Sequence, residues 1–404
     1  MIDRLPASFA ARRRTRKLLV LCDIVGAEGG TESMLSRVLS ELNERSNIAI
    51  AVRGRDVRDA TAFGVAAEEI AWGGDEEPSN VLAAVRVAET IAALRPDTVL
   101  LSSVFDPAVV RAARRAPRAI AHVHDHRAFC PSGDRIYPQF RTMCSQKMGA
   151  ACVVNSLVRG CVEGPRRGTF RRLHARQTLR DALCRLDGIN VDSAFMAELC
   201  EANGIPLERI AILAPPVDPQ ALATPPAAMP PERRVLFAGR LVRDKGLDSL
   251  VRALAHIPKA SRPKLDVAGA PTRESSATVD AARAQGVEIR VLGRQNDAGL
   301  VNAIDAARVI AIPSLWPEPF GMMGIEAYAR GRPVVAYAVG GIPEWIGDGG
   351  IAVRRGDEAA FARAIADVLD EDRWAQFATA ARRRALHYTA RGHADRLLAI
   401  LFPD

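Results

Sequence analysis

A proline-rich segment divides the chain into two halves, and this division constrains the fold more than any other feature of the sequence. Seven prolines lie between Pro215 and Pro231, within the stretch PPVDPQALATPPAAMPPERR. Proline can neither continue a helix nor pair within a central strand. The segment therefore predicts a semi-stiff linker between two domains, which would move as bodies about a short tether and leave a cleft between them.

Each half shows the same alternation of short apolar runs with helical stretches. The runs of the first half are KLLVLCDIV, NIAIAVRG, DTVLLSS, AIAHVHD, GINVDS and RIAILAP, and those of the second are RVLFAGR, KLDVAGA, VEIRVLG, ARVIAIPS, PVVAYAV and GIAV. This alternation is typical of parallel sheets covered by helices on both faces. It predicts an α/β protein of two doubly wound Rossmann-like domains facing a central cleft, over residues 1–220 and 221–385. A last helical stretch at 386–404 is placed to return to the first domain.

Composition narrows the class of protein. No run approaches the roughly 18 apolar residues of a membrane span, and the first 17 residues lack the apolar core of a signal peptide. Seven cysteines without dense spacing fit a reducing compartment with free thiols. These observations favour a cytoplasmic protein without structural disulfides.

The positive charge of the chain is concentrated in one stretch. The net charge is +8, but residues 111–185 contain 16 Lys or Arg and four acidic residues, a local charge of +12. The densest part, PRRGTFRRLHARQTLRDALCRL, predicts a helix with apolar residues near one side, namely Phe170, Leu173, Leu179, Leu183 and Leu186. One interpretation is a solvated helix packed on its own domain. The other is attraction to anionic membrane lipid or to a phosphorylated acceptor. Nucleic acid is not expected, because no recognition motif accompanies the charge.

Two cations follow the first strand of the second half. In FAGRLVRDKGLDSLVRAL the chain turns at Gly239, presents Arg240 and Lys245, and enters a helix after Gly246. Arg and Lys side chains at the start of a helix make a site for a diphosphate, because the helix N-terminus adds about half a positive charge. The alternative is a surface loop with two exposed cations.

Two carboxylates follow a later strand. Glu318 and Glu326 lie in SLWPEPFGMMGIEAYARGRPVVAYAVGGIPEWI, where Pro317 and Pro319 hold Glu318 extended and the helix is expected to start near Phe320. Glu326 would then lie about two turns inside that helix. Carboxylates accept hydrogen bonds from sugar and ribose hydroxyls, and the free N–H groups of Gly321, Met322 and Met323 would point at the same phosphates. Alternatively, Glu318 is solvated and Glu326 pairs within its own domain.

These residues together resemble the donor site of glycosyltransferase family 4, a family of retaining enzymes with the GT-B fold. The resemblance rests on Arg240 with Lys245, on Glu318 and Glu326, and on GGIPE at 340–344, and it is strong over about 233–370. It implies that Arg240 and Lys245 bind the diphosphate, Glu318 the hydroxyls of the transferred sugar, and Glu326 the nucleotide ribose. The backbone of 320–323, from Phe320 to Met323, would contact sugar and phosphate.

The first half carries a weaker resemblance. Gly29 and Gly30, in DIVGAEGGTESMLSRVLSEL, resemble the glycine-rich first loop of the family, which borders the acceptor and the donor phosphates. A structural turn would use the same glycines.

The run AIAHVHDHRAFCP places His122, His124 and His126 on one side of a strand by alternation. His124 and Asp125 resemble a family position beside the transferred sugar, which predicts that they line the cleft; a buried structural histidine is the alternative. Three histidines from one strand are a poor metal site, because ligands usually come from more than one element. No metal site is therefore predicted.

Four cysteines cluster in the same insertion, at Cys130, Cys144, Cys152 and Cys161. They lack the close C-x2-C pairs of zinc sites, so buried or incidental thiols are favoured over a structural metal, which stays an alternative. The acidic run at 370–372 is interpreted as solvated helix surface.

The predicted activity is transfer of a sugar with retained configuration. An acceptor hydroxyl would attack from the face that the diphosphate leaves, with electrostatic stabilisation as the main source of catalysis and no obvious side-chain nucleophile. Glu318, Arg240, Lys245, His124 and Asp125 are the candidate catalytic residues. The resemblance implies a UDP- or GDP-sugar as co-substrate, and no cofactor is expected. A lipid-linked or cell-envelope glycan precursor at the inner membrane surface is the favoured acceptor. A nucleotide-sugar epimerase of the same architecture, and a non-catalytic protein that binds sugar nucleotides or nucleic acid, are the alternatives.

Overall fold

The computed structural model describes residues 15–25, 30–45, 47–57, 67–70, 81–138, 142–162 and 166–403. The described residues form two parallel sheets, each with helices on both faces, and a short antiparallel hairpin. None of the described helices is both long and apolar enough to cross a lipid bilayer. The predicted α/β fold class with two Rossmann-like domains is confirmed.

The first domain contains a seven-stranded parallel sheet in the order β3-β2-β1-β4-β5-β8-β9. Its strands are β1 (Arg16–Val25), β2 (Ile48–Val57), β3 (Ala67–Glu69), β4 (Thr98–Ser102), β5 (Ala119–Val123), β8 (Gly188–Val191) and β9 (Ile210–Ile212). Its helices are α1 (Gly30–Asn43), α2 (Val81–Leu94), α3 (Pro107–Ala113), α4 (Ala150–Arg159), α5 (Arg166–Leu183) and α6 (Ala194–Ala202). The hairpin consists of β6 (Ile136–Tyr137) and β7 (Thr142–Met143).

The second domain contains a six-stranded parallel sheet in the order β12-β11-β10-β13-β14-β15. Its strands are β10 (Arg234–Ala238), β11 (Lys264–Ala268), β12 (Ile289–Gly293), β13 (Val309–Ile312), β14 (Val334–Tyr337) and β15 (Gly350–Val353). The remaining helices are α7 (Pro219–Ala223), α8 (Leu247–Ala255), α9 (Arg273–Ala284), α10 (Asp297–Ala306), α11 (Met322–Ala329), α12 (Ile342–Ile346), α13 (Glu358–Val368), α14 (Glu371–Ala385) and α15 (Ala390–Leu401).

Strand burial explains why the strands could be predicted from apolar runs. Every residue of β4, β5, β13 and β14 is buried, as expected for strands covered by helices on both faces. Each of the twelve runs expected to form strands contains one. The expectations missed β3 and the hairpin, because segments of two or three residues are too short to show periodicity.

The chain passes twice between the two cores. Leu213 packs in the core of the first domain and Val217 in that of the second. The chain returns between Ala385, in the second core, and Ala394, in the first. The two crossings lie side by side, since the Val217 N–H donates to the Tyr388 carbonyl over 2.8 Å. Helix α15 then packs on the same face of the first sheet as α1.

The proline-rich segment is fastened to the second domain. Nε and Nη2 of Arg308 each donate over 2.7 Å, to the carbonyls of Pro230 and Pro231, and Arg332 donates to those of Ala227 and Ala228. Arg382 binds carbonyls of 221–224 in the same way. The expectation of a semi-stiff spacer is therefore wrong for this stretch, because arginine side chains satisfy carbonyls that proline-rich backbone leaves unpaired.

The basic helix α5 differs from its expected pattern at two positions. Leu173, Leu179 and Leu183 are buried as expected, but Phe170 is 58% exposed and Arg176 is buried. The expectation for Phe170 is wrong because Phe170 and Leu179 are nine residues apart, which at about 3.6 residues per turn places them on opposite sides of α5. In the second domain, Asp370 caps α14 by accepting from the Arg373 N–H over 3.2 Å, and Glu371 pairs with Arg308.

Candidate active site

Lys245 and Glu318 form an ion pair at the carboxyl edge of the second sheet. The Lys245 Nζ lies 2.7 Å from Glu318 Oε1 and 4.8 Å from the centre of the Trp316 ring. Lys245 follows β10 and Glu318 follows β13, and these strands are neighbours in the sheet. The parallel order of the strands thus joins two residues that are 73 positions apart in sequence.

The loop after β10 is brought against β13 by a close backbone contact at Gly246. Its φ is +77°, and a Cβ at this position would lie 1.9 Å from the Pro313 carbonyl oxygen. Helix α8 begins at the next residue. Arg240 follows Gly239 at the end of β10, and its side chain is exposed at the same edge of the sheet.

The helix after Glu318 begins two residues later than expected. Phe320 is buried, with its carbonyl accepting from Trp345 Nε1 over 2.6 Å, and α11 starts at Met322 with Gly321 as its N-cap. The expected start near Phe320 is therefore wrong, and Glu326 lies little more than one turn inside the helix. The N–H groups of Met322 and Met323 belong to the first turn, which has no earlier turn to supply acceptors.

Glu326 is bound by a residue that sequence reasoning missed. Arg37 of α1 places Nη1 3.1 Å from Glu326 Oε1, which joins the two domains. Burial raises the pKa of the Glu326 carboxyl, while Arg37 acts in the opposite direction. No motif marks Arg37 in the sequence, because its role depends on how the domains face each other.

The N-termini of α1 and α11 also meet across the cleft. Gly30 is the first residue of α1, and a Cβ there would lie 3.3 Å from the Met322 sulfur. Two helix N-termini close together favour an anion between them. Gly29, the other predicted glycine of this loop, lies outside the described residues.

His124 belongs to a buried polar cluster in the first domain. Its Nδ1 lies 3.0 Å from Asp192 Oδ1, and its Nε2 lies 3.4 Å from Ser102 Oγ. His122 approaches the same Asp192 oxygen through Nε2 at 3.0 Å. Asp192 follows β8, the neighbour of β5 in the sheet, so the cluster draws on strands β4, β5 and β8.

The charges of this cluster determine its hydrogen bonds. Burial alone would raise the pKa of Asp192, but the two imidazoles hold it well below its usual range. Burial, and then the neighbouring His124, lower the pKa of His122 to about 3, so His122 is neutral. An ionised carboxylate only accepts, so His122 donates through Nε2 and His124 through Nδ1. Nε2 of His124 then faces Ser102 Oγ.

The histidine cluster includes a potential metal ligand from a second strand. His122, His124 and Asp192 place one ligand atom each within 4.8 Å of one another, and Asp192 follows β8 rather than β5. The expectation that the candidate ligands share one strand is therefore wrong. The observed hydrogen bonds account for these contacts without an ion.

His126 and Asp125 occupy different surroundings from His124. His126 lies beyond the end of β5 and contacts the Pro317 carbonyl through Nε2 at 2.7 Å, so the expectation that the three histidines share one side is wrong. Burial lowers the pKa of His126 to about 4. Asp125 accepts from the backbone N–H and Nε of Arg127, at 2.8 and 2.7 Å. Both carboxylate oxygens of Asp125 thus accept hydrogen bonds from a residue two positions away, beside the cleft.

Two more contacts tie the domains together. The Glu344 carboxylate accepts from the N–H groups of Ala194 and Phe195, at 2.8 and 2.9 Å, at the N-terminus of α6. Ser193, which caps the same helix, also donates to the Pro319 carbonyl. The loop that carries Glu318 is therefore held against the first domain. Ser193 was missed because serine caps are common at helix starts and do not reveal a second partner.

A small cleft in the first domain opens beside the cluster. Its polar lining consists of Asp23, Thr31, Glu32, Ser102, Ser103 and Arg127. These groups offer both donors and acceptors to a hydroxylated ligand.

The four clustered cysteines are free thiols in the described structure. Cys144 Sγ accepts from Tyr137 Oη at 3.1 Å, and Cys130 Sγ lies 3.2 Å from Ser132 Oγ. Burial is the main cause that raises the pKa of Cys161 to about 11. Within the described part of the chain, no three of these sulfurs lie within 4.8 Å of one another.

Two Rossmann-like domains whose sheets face each other across a cleft, with the C-terminal helix packed on the first domain, define the GT-B fold. Solved structures support this assignment. The Anabaena protein Alr3699/HepE, in complex with UDP and glucose, gives a TM-score of 0.69 at 18% identity, over 96% of this chain and 99% of that chain. A glycosyltransferase from Rickettsia africae gives 0.70 at 16% identity, over 96% and 100%. At such identities the likeness shows the fold alone.

Sequence comparison is more specific for the second domain. Residues 225–389 match the family model of Glycosyl transferases group 1. The D-inositol 3-phosphate glycosyltransferase of Mycobacterium marinum is 34% identical over 195 residues, which is 46% of this chain and 41% of that protein. An uncharacterized glycosyltransferase, MJ1607 of Methanocaldococcus jannaschii, is 38% identical over 117 residues, 28% of this chain and 30% of that protein. The chain thus spans less than half the length of these curated relatives.

Proposed function

We propose that this chain is a retaining, hexosyltransferase-like glycosyltransferase that moves a sugar from a nucleoside diphosphate sugar to a hydroxyl acceptor. The observation that carries the proposal is the ion pair of Lys245 with buried Glu318, at 2.7 Å, beside the exposed Arg240. A cation and a carboxylate held together at the carboxyl edge of a parallel sheet suit a ligand with both phosphates and hydroxyls. The family match over 225–389 supports the same activity.

In the proposed reaction, Arg240 and Lys245 bind the diphosphate together with the N-termini of α11 and α1. Glu318 accepts hydrogen bonds from the transferred sugar, and Glu326 from the ribose, sharing its carboxylate with Arg37. His124 accepts a hydrogen bond from a hydroxyl group through Nε2, and Asp125 lies at the border of the same cleft. The acceptor attacks from the face that the phosphate leaves, so configuration is retained. The leaving diphosphate is stabilised by fixed positive groups, and no cofactor is required.

We propose UDP- or GDP-sugars as donors, in accord with the family that the site resembles and with the UDP bound to Alr3699/HepE; phosphate and ribose contacts alone do not discriminate between the bases. For the acceptor we propose a lipid-linked or cell-envelope glycan precursor at the inner face of a membrane, in accord with the basic stretch 111–185. The relatives named for D-inositol 3-phosphate match less than half of this chain, so their acceptor is not transferred to it.

The first experiment is a thermal-shift screen of the protein against UDP, GDP and their sugars. A ligand at 100 times its dissociation constant stabilises the folded state by about 2.7 kcal/mol, which is readily measured. Stabilisation by one of the two nucleotides identifies the donor base. No stabilisation by either nucleotide contradicts the proposal.

The second experiment replaces Arg240 by Ala and follows turnover of the donor found in the screen. We expect a 10²- to 10³-fold lower kcat with unchanged folding, as removal of one preorganised donor typically costs about 3–4 kcal/mol. Arg243→Ala is the matched control, because Arg243 is an exposed cation in the same loop, 4.0 Å from Glu274. Near-normal turnover in Arg240→Ala would refute the assignment.

The alternatives give different results in these assays. An epimerase would convert the sugar of the donor when no acceptor is present. A nucleic-acid-binding protein would bind oligonucleotides in a salt-sensitive manner and would not bind nucleotide sugars.

A further inference from the structure

Helix α4 has its polar side turned inward. Ser156 is buried, and its Oγ lies 3.0 Å from Oγ1 of the buried Thr169 in α5. Asn155 donates through Nδ2 to Tyr137 Oη of the hairpin over 3.2 Å. The polar groups of this helix therefore hold it to its own domain.

The opposite side of α4 is apolar and faces solvent. Val154 is 59% exposed, Leu157 51% and Val158 67%. These positions are separated by three and four residues, so they form one stripe on a helix. Phe170 of the adjoining α5 is a fourth large exposed apolar residue. A surface helix of a globular protein normally shows the reverse arrangement, with its apolar stripe toward the core.

Helix α5, next to this stripe, and helix α3, on the far side of α5, carry exposed positive charge. Helix α5 contacts both α4 and α3, and α3 and α5 both pack on the same face of the first sheet. The sides of α3 and α5 that pack on the sheet are buried, so the exposed residues of these two helices lie on the outer surface of the domain. They include Arg111, Arg114 and Arg115 at α3 and Arg171 in α5, and Lys147 before α4 is exposed as well.

We propose that the outer surface of α4 and α5 docks on an anionic lipid bilayer. The apolar stripe of α4, with Phe170, would lie in the boundary between headgroups and acyl chains, and the cations around it would contact lipid phosphates. An apolar stripe beside a basic helix layer matches both parts of such a surface, whereas a free phosphorylated acceptor would need only the charge. The proposal rests on the proposed function in one respect: the docked domain would bring the acceptor cleft to a lipid-linked substrate.

The test measures co-sedimentation of the whole protein with vesicles. We expect binding to vesicles of phosphatidylglycerol and phosphatidylcholine, weaker binding at high salt, and little binding to phosphatidylcholine alone. Replacing Val154, Leu157 and Val158 together by Ser should weaken the partition by about tenfold or more, because the buried apolar area is lost. The control is Leu207→Ser with Ile212→Ser, two residues of the same domain that are similarly exposed.

Two further measurements distinguish loss of vesicle binding from loss of the donor site and from self-association. Thermal shift with the donor nucleotide should be the same for the wild type, the triple variant and the control, so loss of vesicle binding is not loss of the donor site. Sedimentation velocity tests for self-association. The proposal is overturned if the wild-type protein stays in the supernatant with anionic vesicles, or if the triple variant binds them as well as the wild type does. It is also overturned if the stripe proves to mediate a dimer that does not bind vesicles.

Discussion

At the scale of single residues, the candidate site depends on partners that fix how each side chain is presented. Lys245 and Glu318 orient each other, and Asp192 orients His124. Asp192 has two acceptor oxygens and receives hydrogen bonds from two imidazoles, so the tautomer of each ring follows from the ionised carboxylate. Asp192 is therefore a positioning residue for His124 in the proposed reaction.

Asp192→Asn tests this role. Asn keeps an oxygen that can accept from both imidazoles, but it removes the negative charge and places an NH2 donor where Oδ2 faces His124 Nδ1, 3.2 Å away. Loss of a hydrogen bond to a charged group costs about 1.5–3 kcal/mol, so we expect a roughly 10- to 150-fold lower kcat. We expect the dissociation constant of the donor nucleotide to stay the same, because Asp192 is not among the groups proposed to bind the phosphates or the ribose.

The control for this variant is Asp187→Asn, in which the altered carboxylate accepts from the Ala119 N–H at the opposite end of β5. Nitrogen-15 NMR of the histidine rings would report the tautomers directly. An unchanged kcat in Asp192→Asn, with altered tautomers, would show that the orientation of His124 is unimportant for turnover.

At the scale of elements, two features decide where the site residues lie. The parallel strands place the ends of β10, β13 and β14 at one edge, and close contacts of the backbone set the loops that follow. Gly246 makes one such contact, since its missing Cβ leaves space for the Pro313 carbonyl. Its left-handed backbone, with a φ of +77°, also disfavours any other residue.

Gly246→Ala should lower the free energy of unfolding by more than the backbone effect alone. Left-handed backbone costs a non-glycine residue about 1–2 kcal/mol, and the clash with Pro313 adds about 1–3 kcal/mol. Gly356→Ala is a matched control, because Gly356 has a φ of +78° and open space around its Cβ position. Chemical denaturation of both variants measures the difference, and equal destabilisation would rule out a tight contact at Gly246.

At the scale of the whole molecule, the two domains are held together by contacts on both sides of the cleft. Arg37 with Glu326 joins α1 to α11, while Glu344 joins α12 to the N-terminus of α6. The two chain crossings lie next to each other, so they form a narrow connection. This arrangement favours opening by rotation about the crossings, with the carboxylate contacts as the closing interactions.

Glu344→Ala should shift the ligand-free protein toward a more open form. The carboxylate accepts two backbone hydrogen bonds across the domains, and both are lost in the variant. A charge-assisted bond contributes about 1.5–3 kcal/mol, so the equilibrium should change by roughly 10-fold or more. Small-angle X-ray scattering would then give a larger radius of gyration, which added donor should reduce. Glu371→Ala is the control, because Glu371 pairs with Arg308 inside the second domain. The same radius in both variants would contradict a closing role for Glu344.

The sequence by itself determined the two helix-covered sheets of this protein and which side chains are candidates for its phosphate site. Buried parallel strands need continuous apolar runs, so the strands of both sheets could be predicted, and loops after strands carry the polar groups, so Arg240, Lys245, Glu318 and Glu326 could be selected. Only the tertiary structure decided the partners of these groups. Arg37, Asp192 and Ser193 are ordinary residues in local sequence, and they matter because distant segments pack against them. The exposed stripe of α4 likewise became visible only in three dimensions, since periodicity gives one side of a helix but not the direction in which that side points.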